Sequence, residues 1–135
     1  ATPGANIVMK STDAGATWAA VGGGIANPER SYDRPAFEID PGNRNRLLFG
    51  TDRVVVSENG GTSWGNSLAG QAIPNLPLVT DYPAPWGNPG IPITAIGVGR
   101  FDPRVIYVAV QNRARRVNNF DETYGPALYR IDLNF

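Results

Sequence analysis

The sequence predicts an all-β fold built from short antiparallel strands and many turns. Its 135 residues include 16 Gly and 12 Pro against 41% hydrophobic residues. This balance is typical of short strands joined by turns and not of long amphipathic helices. A turn pattern also occurs twice, and apolar segments of strand length recur around it in the same order. A chain of this size normally forms one domain.

The repeated turn pattern reads S-x-(D/N)-x-G-x-(T/S)-W and occupies residues 11–18 and 57–64, so the copies lie 46 residues apart. We call each copy a box. An Asx-type turn explains the pattern, since Asp or Asn side chains fold back onto backbone N–H groups and Gly adopts positive φ. The box residues are Ser11, Asp13, Gly15, Thr17 and Trp18 in the first copy and Ser57, Asn59, Gly61, Ser63 and Trp64 in the second.

The aspartate of the first box has two interpretations. It is either a structural clip that closes the turn or a catalytic or metal-binding carboxylate. Asn59 replaces it in the second box, and a general acid or a nucleophile needs an ionisable group. The sequence therefore favours the clip for Asp13.

Strand-like segments surround both boxes in a fixed order. A second repeat aligns Asp40-Pro41 with Asp102-Pro103, 62 residues further on. A period of 46 to 62 residues with several strands per unit is typical of the blades of a β-propeller. The predicted strands are residues 5–10, 17–21, 34–39, 46–51, 54–57, 63–68, 93–101, 105–111 and 127–133.

The box pattern resembles the Asp-box, or BNR, repeat of sialidase-like β-propellers. The segments DPGNRNRLLFGT and VVVSENGGTSW are similar to blades of xyloglucan-active hydrolases, sortilin-type receptors and photosystem-assembly propellers. The resemblance implies antiparallel four-stranded blades, with residues 5–22 ending one blade, 34–68 forming a complete one and 93–133 most of a third. Two to three blades form an incomplete ring, so we expect the remaining blades from the same larger polypeptide or from other subunits.

The propeller arrangement implies that three long loops share one face, at residues 22–33, 69–92 and 112–126. Aromatic and charged residues in or beside these loops are the candidate ligand or partner surface. Trp and Tyr could stack on a sugar ring or fold onto the scaffold, and the Arg cluster could clamp an acidic ligand or form surface ion pairs. The candidates are Tyr32, Arg34, Asp81, Tyr82, Trp86, Arg113, Arg115, Arg116 and Tyr124.

Composition limits the chemistry. The chain has no Cys and no His, which argues against thiol nucleophiles, His-based triads and zinc sites of the usual kind, and we expect neither metal nor cofactor. Net charge is zero, so nothing indicates nucleic acid as a partner. No apolar run is long enough to predict a membrane span. A protein complex or a polysaccharide are the expected partners, in an extracytoplasmic location.

Two function classes remain open. The first is a non-catalytic scaffold for binding or assembly, which needs only the sheets and their loops. The second is a sialidase-like or xyloglucanase-like glycosidase, which needs two carboxylates at a defined separation. No spacing singles out such a pair among Asp33, Asp52, Asp81 and Asp121, and Tyr32, Arg34 and Glu38 do not assemble the arginine motif of sialidases.

Glu38 and Arg100 occupy matching positions relative to the two Asp-Pro pairs. We therefore expect them on successive inner strands, where their opposite charges could form a structural ion pair between blades. The alternative makes Glu38 an acid that faces the central channel.

Overall fold

The computed structural model describes residues 8–25, 35–51, 53–74, 93–110, 113–117, 120–124 and 127–134. Within these ranges the chain forms short strands and no helix, and every strand pairing is antiparallel, which confirms the predicted all-β class. The strands are β1 (Met9–Lys10), β2 (Ala19–Ala20), β3 (Phe37–Ile39), β4 (Leu47–Gly50), β5 (Val54–Ser57), β6 (Ser67–Leu68), β7 (Gln71–Ala72), β8 (Ile93–Val98), β9 (Val105–Val110), β10 (Arg113–Val117), β11 (Phe120–Tyr124) and β12 (Ala127–Asp132).

The strands form small sheets of two or three members. We call β1–β2 the first sheet, β3–β4–β5 the middle sheet and β8–β9–β12 the third sheet, in which β9 is central. Strands β4, β5, β8 and β9 consist largely of Val, Ile, Leu and Phe, which suit a pleated surface that is packed on its neighbours.

Strands β4 and β5 of the middle sheet are buried on both faces, whereas Phe37 and Ile39 on β3 are exposed. Every residue of β4 and β5 is buried, which explains why these strands read as continuous apolar runs and not as an alternation. On one face Leu47, Phe49, Val55 and Trp64 form a cluster with Ile25, and Val8 packs against it. On the other face Leu48, Val54 and Val56 join a cluster with the third sheet, whose members include Ile93, Ile96, Ile106, Val108, Val110, Ile131 and Leu133.

The backbone also links the middle and third sheets. The N–H of Ile93 donates to the carbonyl of Thr51 at 2.8 Å. Beside this bond, a Cβ atom on Gly50 would lie 2.7 Å from Cγ2 of Ile93, closer than real Cβ atoms come. Glycine at position 50 therefore permits the close approach of β4 and β8.

The predicted outer strand over residues 63–68 is wrong in extent. Within the described ranges the segment pairs with β5 only through a single bridge between Val56 and Gly65. Residues 67–68 instead pair with β7 across Ala69 and Gly70. Both turn residues have positive φ, at 50° and 77°, as a tight two-residue hairpin requires. The middle sheet thus has three strands and one bridging residue.

The predicted loop over residues 112–126 contains a hairpin. Strands β10 and β11 pair in full register from Arg113 opposite Tyr124 to Val117 opposite Phe120. The predicted strand over 93–101 is shorter than expected and ends at Val98. No helix in the described ranges is long and apolar enough to cross a membrane.

Candidate functional site

The first box is the connection between β1 and β2, and its side chains close the turn on themselves. Ser11 Oγ donates to Asp13 Oδ1 at 2.8 Å, and the N–H of Thr17 donates to the same oxygen at 2.8 Å. The Thr17 hydroxyl donates to Asp13 Oδ2, and the N–H of Gly15 donates to Ser11 Oγ at 2.7 Å. These hydrogen bonds, led by the Thr17 hydroxyl, lower the pKa of Asp13 from 3.8 to about 2. A carboxylate held in this way is a poor general acid near neutral pH.

The second box makes the same turn without a charge. Ser57 Oγ donates to Asn59 Oδ1 at 2.9 Å, and the N–H of Ser63 donates to the same oxygen at 2.9 Å. The contact that the Thr17 hydroxyl makes in the first box is reversed in the second, because the Asn59 amide nitrogen donates to Ser63 Oγ at 2.8 Å. The central Gly15 and Gly61 have nearly equal φ of 91° and 93°. The box geometry therefore does not depend on an ionised aspartate.

The two boxes differ in what covers their tryptophans. Trp64 is 9% exposed, lies edge-on to Phe49 with ring centroids 6.4 Å apart, and donates from Nε1 to the carbonyl of Val21. Trp18 is 61% exposed and donates to Gly15 of its own turn at 3.2 Å. The tryptophan of the second box is thus buried against the segment that follows the first box, whereas the tryptophan of the first box is exposed.

The Asp-Pro turns also use their carboxylates structurally. Asp40 is buried, accepts from the N–H of Gly42 at 2.8 Å and pairs with Arg46 at 2.9 Å. The matching Asp102 is half-exposed and pairs with Arg104 at 2.8 Å, and this hydrogen-bonded pair lowers the pKa of Asp102 below its usual range. Each carboxylate fixes the turn that leads into the next strand.

The expected pairing of Glu38 with Arg100 does not occur. Glu38 lies within β3, but Arg100 lies beyond the end of β8 and places its guanidinium 5.8 Å from the ring centroid of Phe101. Because β8 ends before it, Arg100 does not share the inner-strand position of Glu38, and the two residues form no ion pair.

The candidate loop residues are only partly within the described ranges. Arg113, Arg115 and Arg116 lie on β10, and Tyr124 lies on β11. The register sets Arg115 opposite Glu122 and Arg116 opposite Asp121. The remaining candidates Tyr32, Arg34, Asp81, Tyr82 and Trp86 lie outside the described residues.

The carboxylates considered for glycoside hydrolysis are not brought together by the described residues. Asp33, Asp52 and Asp81 lie outside them, and Asp121 lies on β11. The described residues also hold no group of three or more carboxylates that could bind a metal ion.

Comparison of the chain with protein-family models, with curated proteins and with solved structures finds no match in any of the three. The resemblance to Asp-box repeats therefore depends on the two boxes and on the strand order around them.

Sequence reasoning did not anticipate two exposed apolar surfaces at the ends of the packed sheets. Met9 and Trp18 are exposed on the first sheet, and Tyr107 and Leu128 are exposed on the third. The 46-residue repeat contained a usable signal, because it matches Met9 to the buried Val55. A residue that is apolar in both copies but covered in only one marks an open surface.

Proposed function

We propose that this chain is a segment of an Asp-box β-propeller that serves as a scaffold for binding or assembly and not as an enzyme. The observation that supports the proposal best is the pair of strands β4 and β5, which are buried on both faces between the segments on either side. Sheets that contact only their neighbours in sequence form a stack that extends by repetition, and such repeats build broad binding surfaces.

The chemistry of the boxes agrees with this proposal. The Asp13 carboxylate holds its turn through three hydrogen bonds from side chains and backbone, and Asn59 holds the second turn without a charge. Asp40 and Asp102 are paired with arginines in their turns. Each of these carboxylates has a structural explanation, so none of them requires a catalytic role.

In this proposal the ligand or partner contacts the loops that hold Tyr82, Trp86 and the Arg-rich hairpin. Stacking on the two aromatic rings suits a polysaccharide or an aromatic side chain of a partner protein. The remaining blades come from the same larger polypeptide or from other subunits, in an extracytoplasmic setting.

The test is an activity assay of the whole chain on β-glucans, xyloglucan and sialosides, alongside a binding assay on the same glycans. We expect no release of reducing sugar or sialic acid, with or without binding. Turnover that disappears in a folded Asp81→Asn or Asp121→Asn variant would refute the scaffold proposal and establish the glycosidase.

A further inference from the structure

The sequence repeats and the strand register match the three sheets to one another position by position, and in the proposed scaffold they are successive units. We call the face with Leu47, Phe49 and Val55 the leading face of the middle sheet, and the face with Leu48 and Val54 its trailing face. The leading face packs on Val8 and Ile25, which lie just before and after the first sheet, and the trailing face packs on the third sheet. Each internal contact thus joins the trailing face of one unit to the leading face of the next.

Hydrogen bonding fixes how the third sheet matches the middle one. Asp40 N–H donates to the carbonyl of Arg46 at the start of the β3–β4 ladder, and Gly99 N–H donates to the carbonyl of Val105 at the start of the β8–β9 ladder. The next residue, Leu47, therefore matches Ile106. Both side chains are buried on the leading faces of their sheets.

The trailing face of the third sheet follows from the same register. By the same register, Tyr107 matches Leu48. Val54 lies opposite the residue two positions after Leu48, and Leu128 lies opposite the residue two positions after Tyr107, so Leu128 matches Val54. Leu48 and Val54 are almost fully buried, whereas Tyr107 is 40% and Leu128 is 71% exposed. The third sheet therefore presents an uncovered trailing face.

The first sheet presents the complementary surface. The 46-residue repeat matches Met9 to Val55 and Trp18 to Trp64. Val55 and Trp64 are buried on the leading face of the middle sheet, whereas Met9 is 45% exposed. Met9 and Trp18 thus form an uncovered leading face, at the opposite end of the stack from Leu128.

One polar contact inside the chain supplies a template for how a trailing face meets a box. Lys10 Nζ donates to the carbonyl of Gly60, in the second box, at 3.0 Å. The 46-residue repeat matches Lys10 to Val56 in the middle sheet. Val56 lies opposite Leu48, and Arg130 lies opposite Tyr107, which matches Leu48. Val56 therefore matches Arg130 in the third sheet. The third sheet therefore carries a cation at the position of Lys10.

The first box offers the matching acceptor. Ala14 corresponds to Gly60 in the 46-residue repeat, and their φ angles are 57° and 67°. Such a positive φ is unusual for alanine, and it shows that the two boxes share one backbone conformation at this position. The carbonyl of Ala14 therefore stands at the position of the first box that the Gly60 carbonyl has in the second.

We propose that a second copy of this chain docks head to tail on the first, with the trailing face of its third sheet on Met9 and Trp18. Tyr107 and Leu128 cover the two apolar side chains, and Arg130 donates to the carbonyl of Ala14. Arg130 now pairs with Asp132 on the surface, and an exposed pair of this kind is easily exchanged. The inference rests on the proposed repeat scaffold, whose next unit the second copy supplies. The contact is heterologous, so repeated docking closes into a ring of copies or continues as an open filament.

The test measures the mass of the wild-type chain by sedimentation over a wide range of concentration. We expect reversible association, weakened about tenfold or more by Trp18→Ser, since a central Trp commonly dominates such contacts, or by Leu128→Asp, since it buries an unpaired carboxylate in the contact. Arg130→Ala should weaken association and Arg130→Lys should restore it, because lysine performs this role at position 10. Phe101→Ser is the matched control, since Phe101 is exposed but belongs to neither face.

A mixture of two variants distinguishes head-to-tail docking from other contacts. Trp18→Ser retains an intact trailing face and Leu128→Asp retains an intact leading face, so the mixture forms heterodimers while each variant alone is monomeric. A wild-type chain that stays monomeric, or a mixture that forms no heterodimer, overturns the inference. An equal effect of Phe101→Ser also overturns it, because association would then be non-specific. None of these results produces glycan turnover, so a failure here is distinct from a failure of the scaffold proposal.

Discussion

The contact between the second box and the first segment can be tested with two matched glycine substitutions. Gly15 and Gly61 occupy the same position of their boxes at φ of 91° and 93°. An alanine Cβ at position 61 would lie 2.9 Å from Cγ2 of Val21, whereas at position 15 its nearest neighbour is a ring carbon of Trp18 at 3.9 Å. Both substitutions share the backbone strain, but only Gly61→Ala adds a clash between units.

The expected magnitudes follow from these two contributions. Placing alanine at a left-handed φ costs about 1 kcal/mol in either box. Overpacking against Val21 adds about 1–3 kcal/mol at position 61 alone. We therefore expect Gly15→Ala to lower the free energy of unfolding by about 1 kcal/mol and Gly61→Ala by about 2–4 kcal/mol.

Urea unfolding followed by tryptophan fluorescence measures both values, and the Val21→Ala background supplies the control. Removing the γ-carbons of Val21 should relieve most of the clash, so Gly61→Ala in that background should cost about as much as Gly15→Ala. The double-mutant cycle then gives a coupling of about 1 kcal/mol or more. Equal losses at positions 15 and 61 in the native background would refute the reasoning, because the clash would contribute nothing.

Three further predictions concern the paired turns. Asp40→Ala should lower the free energy of unfolding by about 3 kcal/mol, because it leaves a largely buried arginine without its carboxylate, whereas the half-exposed Asp102→Ala should change it little. Trp64→Ala should cost about 3–5 kcal/mol, and the exposed Trp18→Ala much less. The folded-state pKa of Asp13 is about 2, below its ordinary 3.8, so its stabilisation is present above about pH 4 and is lost as the pH falls towards 2. Asp13→Asn should remove this acid dependence while the turn persists.

Each of these predictions has a direct readout. Thermal unfolding at neutral pH compares the two members of each pair, and equal losses within a pair would contradict the burial argument. For Asp13, the midpoint of unfolding is followed from pH 5 to pH 2 in the wild type and in Asp13→Asn. Identical acid dependence in both would show that the carboxylate does not contribute in the predicted way.

The sequence was sufficient to predict β1 to β5, β8, β9 and β12 because its local signals agree with one another, whereas β7, β10 and β11 lie in predicted loops. The boxes mark turns, and the apolar segments between them have the length and composition of strands. The outer strand over 63–68 failed as a prediction because Ala69-Gly70 forms a tight turn that pairs residues 67–68 with β7. Alanine at positive φ is uncommon, so the composition gave little warning of this turn.

The hairpin of β10 and β11 could have been found from its turn chemistry. Asn118-Asn119 separates Val117 from Phe120, and Asn favours the positive φ of a two-residue hairpin turn. The density of arginine and acidic residues in this segment instead suggested a binding loop. Charge density indicates exposure, but it does not distinguish a loop from a polar hairpin.

The difference between the boxes lies beyond the reach of local sequence. Trp18 and Trp64 end the same pattern and follow turns of the same backbone geometry, yet one is exposed and the other buried. Burial at position 64 depends on Val21 and Ile25, which belong to the preceding unit. The burial of a box tryptophan is therefore set by residues far from it in sequence. In the proposed head-to-tail docking a second copy of the chain covers Trp18, so association is where this exposed tryptophan is expected to show its effect.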